Sequence, residues 1–84
     1  MIERRRHQRN PARQRAFIVL SEYRAPIPCT IRETSPFGSL IEHEDAADLP
    51  RSFHLLMGST QLLPCRLVRT ESGEAGVEYL RRAS

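Results

Sequence analysis

Ile27-Pro28-Cys29-Thr30-Ile31-Arg32, then Glu33-Thr34-Ser35-Pro36-Phe37-Gly38, then Ser39-Leu40-Ile41-Glu42, is the stretch that decides the fold. In its first part Ile27, Cys29 and Ile31 alternate with Pro28, Thr30 and Arg32. A period of two marks a strand with one buried face. The middle part breaks that pattern with Pro36 and Gly38, residues that punctuate turns. Ser39-Leu40-Ile41-Glu42 resumes an extended reading, so two short strands joined by a tight connection occupy the centre of the chain.

Working outward, the run Ala16-Phe17-Ile18-Val19-Leu20 is β-branched and aromatic, too short for a buried helix and well suited to a strand. Pro26 and Pro28 mark the turn between it and the central pair. Downstream, His43 to Arg51 is polar and acidic; Pro50 stops anything longer than one helical turn, and the segment reads as a loop. Phe53, Leu55 and Met57 then alternate with Ser52, His54 and Leu56, and Gly58-Ser59 offers a hairpin turn into a strand over Gln61–Thr70. A further turn over Glu71–Glu74 leads into Val77 and Tyr79, which alternate with Gly76, Glu78 and Leu80. Six short strands and no convincing helix predict an all-β, six-stranded antiparallel barrel or sandwich. Closure would remove the exposed edges that so small a sheet otherwise presents.

The 84 residues suffice for one small domain, and their charge is unevenly spread. Residues 1–15 carry six arginines against Glu3, a net +5, while residues 16–84 carry −2. Residues 1–12 have too few apolar groups to pack a helix face and read as a flexible, arginine-rich arm, with the barrel over 13–84. Every basic side chain is arginine, whose planar fork pairs bidentately with phosphates and guanine edges. No run approaches the length of a membrane span and the first fifteen residues lack the apolar core of a signal peptide, so a cytoplasmic protein without membrane insertion is expected. Cys29 and Cys65 lack metal-ligand or redox spacing and read as small hydrophobes on strands. His7, His43 and His54 share no ligand interval, and no histidine pairs with a nucleophile, so neither a metal site nor an enzyme is expected. The acidic cluster Glu42, Glu44, Asp45 and Asp48 reads as a solvated loop rather than a calcium site.

Two constellations remain. Arg4-Arg5-Arg6-His7-Gln8-Arg9 would, by itself, be a solvated tail. Glu33-x-Ser35-x-x-Gly38 would, by itself, be an ordinary turn in which Ser35 caps backbone donors, Pro36 fixes φ and Gly38 supplies a positive φ. Together, in this order, they resemble the PilZ domain family of bacterial cyclic di-GMP receptors, which carries R-x-x-x-R in an N-terminal arm and (D/N)-x-S-x-x-G after the second strand. The matches are Arg5-x-x-x-Arg9, preceded by Arg4, and Glu33-x-Ser35-x-x-Gly38, with Pro28–Arg32, Ser39–Ile41 and Gly76-Val77-Glu78-Tyr79 in further agreement.

The resemblance implies a six-stranded β-barrel whose arm folds over cyclic di-GMP and then signals to a protein partner. By that carry-over Arg4, Arg5 and Arg9 hold the ligand, Ser35 contacts a guanine or phosphate, Gly38 lets the backbone approach, and Glu33 accepts from guanine N–H groups. Glu33 departs from the family's Asp or Asn, which motivates the alternative of a ligand-free protein–protein adaptor on the same fold. A nonspecific nucleic-acid-binding barrel is a third reading, motivated by the arm. The acidic body and few stacking aromatics (Phe17, Tyr23, Phe37, Phe53, Tyr79) argue against it. No specific nucleic-acid partner and no cofactor are expected.

Overall fold

Where residues alternate between apolar and polar, the chain extends. The computed structural model describes residues 10–58 and 60–81. Its strands are β1 (Asn10–Val19), β2 (Ile27–Ser35), β3 (Gly38–Glu42), β4 (Ser52–Met57), β5 (Gln61–Glu71) and β6 (Glu74–Tyr79). They form a closed antiparallel barrel in the order β1-β2-β3-β6-β5-β4, with β4 paired back to β1 through Ala16↔Met57 to Val19↔His54. No helix among the described residues is long and apolar enough to cross a membrane.

Alternate residues along the strands point inward. Ala16 and Ile18, Cys29 and Ile31, Phe53 and Leu55, Leu63 and Cys65, and Ala75 and Val77 are all buried, with Ile41 between them. Cys29 and Cys65 are free thiols inside this core. Burial raises the Cys29 thiol to about 11 and the Cys65 thiol to about 12. They act as small apolar groups, since desolvation disfavours the thiolate. One polar cluster sits among them. The Ser39 hydroxyl bonds Tyr79 Oη and donates to Thr34 Oγ1 at 3.4 Å, while Thr34 Oγ1 and Tyr79 Oη lie 3.3 Å apart. Their mutual pairing meets the requirement that buried hydroxyls find partners.

Two boundaries differ from the sequence reading, the start of β1 and the end of β2. β1 starts at Asn10, inside the range assigned to the arm and six residues before its apolar run. Asn10 and Pro11 pair with Thr34 and Glu33 because β2 also continues, through Ser35. A ladder, unlike a core, needs no apolar side chains, so hydropathy did not mark either extension. The loop over 43–51 contains a single 3-10 turn at Ala46–Asp48. Ala46 is fully buried, and the turn packs against β5 and β6 while His43 N–H donates to the Gly73 carbonyl at 2.9 Å. The last hairpin turns over Glu71–Glu74, as the sequence predicts. Glu71 pairs with Glu74, leaving Ser72 (φ 47°) and Gly73 (φ 80°) between them.

Candidate functional site on the outer wall

Register places the residues of the E-x-S-x-x-G segment. Between Ile31 and Glu33, β2 takes two steps while β3 takes one, a bulge that leaves Arg32 unpaired in that ladder. A bulge shifts the phase of every residue after it. Ile31 faces in opposite Ile41, but two residues on Glu33 faces out opposite Leu40, Thr34 faces in opposite Ser39, and Ser35 faces out opposite Gly38. Glu33 and Ser35 therefore share the outer wall. The displaced Arg32 reaches Glu74 at 2.8 Å and Glu42 at 3.4 Å, further along the barrel.

The turn itself explains part of the segment. Phe37 N–H donates to Ser35 Oγ at 3.1 Å, the backbone capping expected of a serine there. The other contact of that hydroxyl, 3.5 Å to the Gly38 carbonyl, lies at the outer limit of a hydrogen bond and leaves its proton open to a stronger acceptor. Gly38 corrects the sequence reading, because its φ is not in the positive region occupied by Gly58, Ser72 and Gly73. A side chain is excluded there for a different reason. A Cβ would stand 2.3 Å from the Val77 carbonyl oxygen, so β6 approaches where only hydrogen fits.

Arg4, Arg5 and Arg9 lie outside the described residues. What the structure does fix is the root of their segment. Asn10 pairs with Thr34 and Pro11 with Glu33, so the chain leaves β1 directly beside the outer wall that bears Glu33 and Ser35. Arg13 and Arg15, further along β1, are exposed.

Compared with known proteins, the chain matches no family model and no curated protein. The site accordingly rests on its own geometry.

Other outer-wall residues were missed by motif reading. The line Pro11, Glu33, Leu40, Gly76, Arg69 runs by consecutive pairing across β1, β2, β3, β6 and β5. Beside it runs Ser35, Gly38, Glu78, Arg66, in which Arg66 and Glu78 form an exposed ion pair. Leu40 and Gly76 lie in stretches that agree with the family without a site role, and no motif signals Arg69, which acquires its place only through strand pairing.

Elsewhere the chemistry is less suited to an anion. An open groove of about 470 Å³ runs between Arg15, Thr30, Glu42 and Glu44, where carboxylates outnumber the guanidinium. Among the described residues no group of three or more His, Cys, Asp or Glu could hold a metal ion. Of the stacking candidates, Phe53 and Tyr79 are buried, Tyr23 is exposed on the β1–β2 connection and Phe37 is exposed at the turn.

Proposed function

We propose that this barrel is a cyclic di-GMP-binding domain of the PilZ type, whose arginine-rich segment closes over the ligand and presents an altered surface to a protein partner. The observation that carries the reading is the register Asn10↔Thr34, Pro11↔Glu33. It roots the arginine segment against the very turn that the paired motifs require. Arg9 is bonded to Asn10, and Arg5, five residues before it, can lie at most about 17 Å away along an extended chain.

The chemistry matches. Cyclic di-GMP offers two phosphates and guanine edges with acceptors at O6 and N7, all of which a guanidinium fork can engage. Its guanine N–H donors suit the Glu33 carboxylate, and the Ser35 hydroxyl proton suits a phosphate oxygen. Each charge-assisted bond contributes roughly 1.5–3 kcal/mol, so several together offset the ordering of a short segment. Isothermal calorimetry of the dinucleotide against the wild type, Arg5→Ala and Arg9→Ala tests the assignment. Binding should weaken at least about tenfold in each variant; equal affinity in all three rules out these arginines as the ligand's holders.

A second reading is favoured by two details of the same turn. The Ser35 hydroxyl already caps Phe37, and the space before Gly38 is filled by the Val77 carbonyl, so both residues have structural duties without any ligand. On that reading the domain is a protein–protein adaptor that does not bind the dinucleotide. Glu33→Asp, which restores the family's shorter carboxylate, separates the two. A gain in affinity supports a weakened receptor, and undetectable binding before and after supports the adaptor.

A further inference from the structure

Three of the barrel's ladders are interrupted by bulges, and all three interruptions fall beside one line of residues. They lie between Pro11 and Gln14 in β1, between Ile31 and Glu33 in β2, and between Leu67 and Arg69 in β5. The first residue beyond each is Pro11, Glu33 or Arg69, and these three belong to the same cross-barrel line, joined through Leu40 and Gly76. Bulges re-aim side chains and concentrate beside functional sites.

Arg69 shows what the third bulge does. Leu67 packs against the core opposite Val77, and in a regular strand the residue two further on would face the same way. Because Val68 is bulged out, Arg69 instead sits opposite Gly76 on the outer wall. Its side chain lies across that glycine, with Cγ and Nε each 3.5 Å from where a Cβ would be. The described ion pairs engage Arg32 and Arg66 and leave Arg69 out.

From this placement we infer that Arg69 is a further ligand-binding guanidinium, gripping the dinucleotide on the β5 side of the wall, across Leu40 from Glu33. The inference rests on the proposed function. Glu33 and Arg69 are three strand spacings apart, about 14 Å across the wall, the scale of a nucleotide rather than of a lone phosphate. A purine laid on the apolar Leu40 would meet the Glu33 carboxylate at one edge and, at the other, the guanidinium that lies over Gly76. A guanidinium there can pair with a phosphate oxygen or with guanine O6 and N7.

Calorimetry with cyclic di-GMP on the wild type, Arg69→Ala, Arg69→Lys and the control Arg24→Ala tests this. Arg24 is exposed on the β1–β2 connection, so its loss removes the same charge away from the line. Arg69→Ala should weaken binding about tenfold or more, Arg69→Lys should recover part of the loss, and Arg24→Ala should bind like the wild type. Urea midpoints should agree among the four proteins, because Arg69 is exposed. Wild-type binding that Arg69→Ala leaves intact overturns the inference alone, as does an equal loss in Arg24→Ala. A wild type that does not bind the dinucleotide overturns the receptor reading and this inference with it.

Discussion

Gly38 shows how one residue can satisfy a motif for a reason the motif does not state. Its φ is unremarkable, yet a methyl group would collide with the Val77 carbonyl, so Gly38→Ala should destabilise the barrel by about 1–3 kcal/mol. Urea unfolding measures this directly, and any binding defect of that variant must be read after correcting for the folded fraction. The buried thiols give a second residue-scale expectation. Unfolded cysteines ionise near their ordinary value of 9.0, whereas Cys29 and Cys65 in the barrel hold their protons to about 11 and about 12. Above pH 9 the native state therefore binds more protons than the unfolded one, and stability falls as pH rises. The thiol contribution is fully retained below that pH and is lost progressively up to the folded-state values. Urea midpoints should thus drop between pH 8 and pH 10.5, and a Cys29→Ala, Cys65→Ala double variant should show a shallower drop.

At the scale of elements, what the sequence revealed depended on whether a strand is specified by its core face or by its neighbours. Cys29–Ile31 and Phe53–Leu55 carry the period-two signal because alternate residues are buried, Ala16–Val19 is marked by its β-branched and aromatic composition, and all three were legible. The start of β1 at Asn10 and the extension of β2 to Ser35 were not, since those residues join the sheet by backbone pairing. The same division holds for the candidate site. Glu33, Ser35 and Gly38 are close in sequence and resemble a known motif, whereas Leu40, Gly76 and Arg69 meet them only through ladder register and bulges. The β5–β6 hairpin provides the element-scale test. Ser72 and Gly73 both adopt positive φ, the pattern of a two-residue type I′ turn, for which Asn-Gly is the favoured pair. Ser72→Asn should therefore raise stability by about 0.5 kcal/mol, and Gly73→Ala should lower it by about 1 kcal/mol, each read as a shift of urea midpoint at unchanged slope.

For the whole molecule, the charge division and the barrel's closure point to separable roles. Among the described residues, every ladder that closes the barrel begins at or after Asn10, and the buried core cluster begins at Ala16. Of the six arginines in the first fifteen residues, Arg4, Arg5, Arg6 and Arg9 precede Asn10 and Arg13 and Arg15 lie on β1. A chain beginning at Asn10 retains every described ladder and the described core, and should keep its unfolding free energy to within about 0.5 kcal/mol. Ligand linkage should then distinguish the full chain from the shortened one. A ligand present at a hundred times its Kd stabilises the protein that binds it by about 2.7 kcal/mol. Saturating cyclic di-GMP should raise the melting temperature of the full chain and leave that of the shortened chain unmoved, and hydrogen exchange should show new amide protection over residues 4–10. Equal stabilisation of both chains would place the anion site on the barrel wall alone, with Glu33, Ser35 and Arg69 holding the ligand and the arm serving only to attract it from a distance.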